Sequence, residues 1–110
     1  CEAEDWCPIT VTAELLGRKW HPVIVHRLIQ KDMGFNELQR EVHDISDKVL
    51  SESLKDLKEK DIVKKEIVNE KPKEVNYCLT ERGQSLSKVV ESMREWGEQN
   101  SRKSYEEARR

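Results

Sequence analysis

The chain has 110 residues, 38% of them charged and 35% hydrophobic, with a formal net charge of −2. That length holds one domain with a lean core, and no run approaches the roughly 20 apolar residues a membrane helix needs. The small net charge and the clear periods of the apolar residues exclude a disordered chain.

The acidity is concentrated at the start. Glu2, Glu4 and Asp5 fall within the first eight residues, where there is no base, and the remaining acids and bases nearly cancel. Residues 1–6 read as an acidic, mobile leader. Pro8 then opens a first helix carrying Ile9, Val11, Ala13, Leu15 and Leu16, with Gly17 as its stop. A second helix is expected over residues 19–30, "KWHPVIVHRLIQ". Trp20, Val23, Ile24, Arg27 and Leu28 give its rhythm, and Pro22 is tolerable in its first turn. In "FNELQREV", Asn36 with Gln39 three places on resembles a capping box for a short helix. A three-residue turn follows at His43, Asp44 and Ile45.

Ser46 is placed to cap the next helix, residues 46–60, in which Leu50, Leu54 and Leu57 form one buried stripe. After Asp61 the period changes from helical to alternating. Residues 62–68 and 75–80 read as strands, joined by a charged tip over residues 69–74 that contains Pro72. Thr80 is placed to cap a final long helix with the stripe Leu86, Val89, Val90, Met93 and Trp96. Residues 101–110 form a polar tail expected to fray. Two helices joined by a short turn, then a charged hairpin, describe a winged helix-turn-helix. The fold class expected is mainly α with a small β-hairpin.

At this point several motifs coincide. "CPI" precedes the first helix, "LLGRKW" the second, and "FNELQR" forms the third. "IS" plus "VLSESLKDLKEKDIV" and then "VNYCLTERGQSL" complete the set. Together they resemble the HxlR-type transcriptional regulators, from Cys7 to about residue 97. "LTERG" alone is shared by many winged-helix regulators, whereas Cys-Pro, Gly-x-Lys-Trp and Phe-x-Glu-Leu in this order are specific. The resemblance implies a homodimeric, sequence-specific regulator of double-stranded DNA, its domain spanning residues 7–100, with an inverted-repeat operator. It further implies that the N- and C-terminal helices dimerise, that residues 46–60 enter the major groove, and that residues 69–74 form the wing. Ile9, Val11, Leu86, Val90, Met93 and Trp96 are the expected dimer residues. A lean core independently suggests that apolar surface is buried against a partner.

A helix in the major groove presents its wet face to base edges, and here that face carries Lys48, Ser51, Glu52 and Lys55. Lys48 and Lys55 reach phosphate or guanine, and Ser51 donates or accepts. Glu52 and Asp47 have two open readings, as acceptors from cytosine or as braces for the lysines. A solvated surface is the plain alternative for the whole set. Backbone contacts are expected from Arg18, Lys19, Asn36, Arg40, Ser46, Lys71 and Lys73. Glu74 departs from the family, whose members often carry a base near that position, which implies modest attraction at the wing.

Cys7 stands at an N-cap position, where unpaired N–H groups favour a thiolate and Glu4 and Asp5 oppose it. Some relatives use a cysteine at this Cys-Pro position to sense electrophiles or oxidants, so the resemblance implies a redox role. A small packed cysteine at a dimer interface is the other reading. Cys1, Cys7 and Cys78 form neither a disulfide framework nor a zinc motif, and His21 and His26 do not share a helix face. No metal site or cofactor is expected. The absence of a phosphate loop or a nucleophile–base spacing argues against an enzyme. No secretory leader is seen, so a cytoplasmic protein is expected. The competing class is a winged-helix module that binds only protein, favoured by the near-neutral charge of residues 46–60.

Overall fold

In the computed structural model, which describes residues 6–108 and the side chains of residues 6–100, local signals set most element boundaries. Pro8 occupies the first position of α1 (Pro8–Leu16), and Gly17 ends it at φ −76°. Pro22 lies in the first turn of α2 (His21–Gln30), where no amide hydrogen is required. α3 (Phe35–Glu41) and α4 (Asp47–Glu59) follow. Ser46 caps α4 as expected, its Oγ accepting from the Val49 N–H at 3.1 Å. β1 (Val63–Glu70) and β2 (Lys73–Leu79) pair antiparallel, from Val63 opposite Leu79 to Glu70 opposite Lys73, with a register shift between Ile67 and Asn69. α5 (Glu81–Gln84) and α6 (Ser87–Ala108) complete the chain. This is the expected helical fold with one hairpin.

The core gathers the inner faces of these elements. Ile24, Val25 and Leu28 of α2, Leu38 of α3, and Leu50, Leu54 and Leu57 of α4 are all buried. Ile62, Val63, Leu79 and Val90 close it. Met33 adds a strand-like rung. Its N–H donates to the Tyr77 carbonyl at 3.1 Å, and the Tyr77 N–H donates back at 2.7 Å. The connection between α2 and α3 is thereby tied to the base of the hairpin.

Several boundaries differ from expectation. Asn36 does not cap α3; Gly34 stands at the N-cap, its carbonyl accepting from Leu38 N–H, and Asn36 is the second residue of the helix. The Met33–Tyr77 rung holds the chain extended, so the helix starts as soon as that rung ends. Gln39 donates instead to the Ile45 carbonyl. The hairpin is longer than expected: both strands run to a tip of Lys71 and Pro72 alone. Thr80 caps α5 through Gly83 N–H at 3.0 Å, not the long helix, which begins at Ser87. α6 then continues to Ala108 where a polar tail was expected, because its last residues are helix-favouring Arg, Lys, Glu and Ala without a breaker.

Gly83 shows how tightly the α5 corner packs. A Cβ there would lie 2.2 Å from the Ile62 carbonyl oxygen. At Gly97, in the middle of α6, a Cβ would meet nothing within 4 Å. Gly83→Ala should therefore lower the unfolding free energy by about 1–3 kcal/mol. Gly97→Ala should leave it unchanged or raise it by about 0.5–1 kcal/mol. Equal denaturant midpoints for the two variants would contradict this packing.

Candidate nucleic-acid interface

The sequence of α4 divides it into two faces. Leu50, Leu54 and Leu57 fall on the inner one and are at most 2% exposed. Lys48, Ser51, Glu52 and Lys55 fall on the other and are all exposed. Among the described residues, no ion pair joins these charges to one another, so the bracing of the lysines by Asp47 or Glu52 is not formed. The contrast is with α6, where Arg94 binds both Glu91 and Glu98. These four outward side chains are thus free to take new partners.

The C-terminal half of α4 is held differently. Asp56 Oδ2 accepts from Lys60 Nζ at 2.9 Å and from His21 Nε2 at 2.7 Å. His21 is fully buried at the first position of α2, and its Nδ1 has no hydrogen-bond partner. The short Nε2 contact assigns the proton to that nitrogen. This bond, made across 35 residues, seats the start of α2 against α4. Arg18 and Lys19, immediately before α2, are both exposed. Lys19 Nζ stacks 4.7 Å from the Trp20 ring centroid, which limits its wandering.

The remaining expected contacts distribute over three further segments. Asn36 and Arg40 are exposed on α3, and Lys71 and Lys73 are exposed at the hairpin tip. Ser46 is exposed, but its oxygen already accepts from Val49, which leaves its hydroxyl hydrogen for a phosphate. On the hairpin stem, Lys64 lies 3.5 Å from Glu66 and Lys65 sits over Tyr77.

The expected dimer residues separate into two groups. Ile9, Val11, Met93 and Trp96 are exposed. Val90 is not available: it is 3% exposed and belongs to the protomer's own core, because α6 turns that position toward α2. Leu86 is half-buried against the same core. Val89 takes the place of Val90 on the open face, where it and Met93 line an apolar groove of about 600 Å³ with Pro8, Ile9 and Leu16 of α1. Cys7, at the edge of α1, is half-buried and disulfide-bonded. Cys78 is a free thiol in β2, and burial, with Glu66 and Asp32 adding to it, pushes its pKa up.

The HxlR-like helix-turn-helix family model matches residues 15–105. The chain belongs to this family. It is 37% identical over 94 residues to the HTH-type transcriptional regulator YodB of Bacillus subtilis, covering 84% of each chain. It is 34% identical over 97 residues to the HTH-type transcriptional regulator YybR of the same organism, covering 88% of this chain and 78% of that one. Its fold superposes on the redox regulator HypR in its oxidised form with a TM-score of 0.80 at 35% identity, covering 86% and 97% of the two chains. The protein is therefore a DNA-binding transcriptional regulator of the HxlR type, from a family that typically acts as dimers. Its relatives are regulators and not enzymes. No described helix is long and apolar enough to cross a membrane.

Sequence reasoning missed the pairing of His21 with Asp56, which no local period signals. Asp56 is held below the ordinary carboxylate range, first by the Lys60 hydrogen bond and then by that of His21. A depressed carboxyl stabilises the fold above the unfolded pKa, about 3.9, and loses that contribution as pH falls through the lower folded value. Asp56→Asn should thus cost about 1–2 kcal/mol at neutral pH. The gap from wild type should close in denaturant titrations repeated below about pH 3.9. A gap that stays constant to the lowest pH would refute the charged role of Asp56.

Proposed function

We propose that two copies of the chain dimerise through α1 and α6 and present their α4 helices to an inverted repeat in double-stranded DNA. Lys48, Ser51, Glu52 and Lys55 read base edges, and Arg18, Lys19, Asn36, Arg40, Ser46, Lys71 and Lys73 hold the backbone. The observation that carries this reading is the division of α4: fully buried leucines on one side, four exposed and unengaged polar groups on the other. A cytoplasmic location follows from a chromosomal target.

Dimerisation is supported by the exposed apolar surface. Ile9 is 75% exposed and Trp96 is 68% exposed, and they lie with Val11, Val89 and Met93 on the two terminal helices. Surface of that kind on a small domain marks a contact site. A twofold dimer places its half-sites about one helical turn apart.

The charges decide how binding is shared. On the reading face two lysines are offset by Glu52 and the nearby Asp47, so α4 contributes discrimination more than attraction. Attraction comes from Arg18, Lys19, Lys71 and Lys73 in duplicate. Lys48→Ala and Lys55→Ala should each weaken operator binding by about 1–3 kcal/mol and relax base preference. Lys71→Ala should weaken all sequences alike and reduce the salt slope by about one unit per contact. Gel shifts on genomic fragments over a salt series test both. Unchanged binding in the two α4 variants would displace the reading face from α4.

A second reading concerns Cys7. HypR is a redox regulator known in oxidised and reduced forms, and YodB in reduced, diamide-treated and quinone-bound forms. Cys7 here lies at the edge of the α1 surface that would meet the partner, and it is engaged in a disulfide. A change in its thiol–disulfide state would reach the dimer geometry through α1 and so the spacing of the two reading helices. Operator affinity should differ between reduced and diamide-treated wild type, and this difference should vanish in Cys7→Ser. A response of equal size in the variant would exclude Cys7 as the sensor.

A further inference from the structure

Three metal-ligating side chains that are far apart in sequence meet at the base of the hairpin. The Asp32 and Glu66 carboxylates and the Cys78 thiol offer ligand atoms that all lie within 4.8 Å of one another. They come from three segments: the α2–α3 connection, β1 and β2. Backbone pairing explains why they converge. Met33 is bonded to Tyr77 in both directions, which brings the neighbouring Asp32 beside Cys78. Lys64 is opposite Cys78 in the register, and Glu66 lies two residues further on the same face of β1.

The donor set is selective. A tetrahedral cation with bonds of about 2.0–2.3 Å to oxygen and sulfur needs ligand atoms that can close around it, and those of this cluster lie within 4.8 Å of one another. Both carboxylates are exposed and free to do so, whereas Cys78 is 95% buried and fixes the position. The competing contacts are weak. Cys78 Sγ reaches the Lys64 carbonyl at 3.8 Å, and Glu66 is 3.5 Å from Lys64 Nζ. One thiolate with two carboxylates carries three negative charges, and Lys64 supplies one positive charge beside them. A sulfur donor with only two side-chain oxygens suits zinc or cadmium better than magnesium or calcium, which require mainly oxygen.

We propose that Asp32, Glu66 and Cys78 form a binding site for a thiophilic divalent cation of the zinc and cadmium type. Binding replaces the S–H bond by a sulfur–metal bond, and the proton leaves to solvent. Water fills the fourth position. The cation would clamp both strands of the hairpin to the α2–α3 connection, and so fix the wing's base relative to the body. No local spacing signals such a site, because its three donors are 34 and 12 residues apart and only the sheet register and the Met33–Tyr77 bridge unite them.

The test uses the full chain carrying Cys1→Ser and Cys7→Ser, so that Cys78 is the one thiol, titrated with cadmium alone. The ultraviolet charge-transfer band of a cadmium–thiolate bond should rise and saturate at one cation per chain. Asp32→Asn and Glu66→Gln, both at exposed positions, should each weaken binding by about tenfold or more. Cys78→Ser should abolish the band. Zinc should compete for the site, and magnesium and calcium should not. Absence of the band, or an affinity unaltered by both carboxylate variants, would overturn the proposal. Displacement by magnesium would overturn the assigned cation class.

Discussion

Burial of Leu50, Leu54 and Leu57 is the contact on which the rest of the molecule depends. Their i, i+4, i+7 spacing gives α4 a single inward stripe, and the stripe packs against the core formed by α2, α3 and the hairpin root. Once the stripe is fixed, the orientation of every other α4 side chain follows from the helical period. Lys48, Ser51, Glu52 and Lys55 are then directed outward without any need for a dedicated contact. Each buried leucine is worth about 1.5–3 kcal/mol, far more than any exposed ion pair available to this chain. The outward surface of α4 is thus positioned by apolar packing and left electrostatically free.

The charge balance of α4 takes on a different meaning in three dimensions. Asp56 and Lys60 are near the end of the helix and satisfy each other, together with His21. They belong to the scaffold and do not enter the account of attraction. The charges that remain at the outward face nearly cancel, which favours discrimination over attraction at that surface. A neutral reading helix is compatible with DNA when flanking segments supply the cations. Arg18 and Lys19 are exposed immediately before α2, and Lys71 and Lys73 stand at the far end of the hairpin. The overall charge of −2 therefore says little about binding, since the Debye length of about 8 Å at physiological salt makes local clusters decide.

Much of this architecture was legible because the signals that encode it are local. The Ser46 cap, the α4 leucine stripe, the proline starts of α1 and α2, and the switch to alternation after Asp61 each involve residues a few places apart. Other features depend on contacts between distant segments and were misread for that reason. Asn36 has the right residue type for a cap, but the Met33–Tyr77 rung starts α3 earlier and Gly34 takes the role. Thr80 does cap a helix, yet the packing of Gly83 against Ile62 confines that helix to one turn. Val90 shares the period of the exposed stripe and still belongs to the core, because the stripe on α6 is wide enough to face two ways. The candidate base-reading residues rest on resemblance joined to helical period, and period alone does not distinguish them from a solvated face.

The lean core and the exposed terminal helices are two sides of one constraint. A chain with 35% hydrophobic residues that leaves Trp6, Ile9, Trp96 and Met93 in solvent spends a notable share of its apolar surface outside its own core. The groove between α1 and α6 is lined almost wholly by apolar groups, and water gains nothing by filling it. Covering that surface with a second copy would return the missing burial and fix the separation of the two α4 helices in the same step. Protomer stability and operator spacing would then be linked, since both depend on the seating of α1 against its partner. A modification at the edge of α1, where Cys7 lies, acts on a segment with one buried residue of its own, Leu16. The core that holds α4 thus draws a single buried residue from α1.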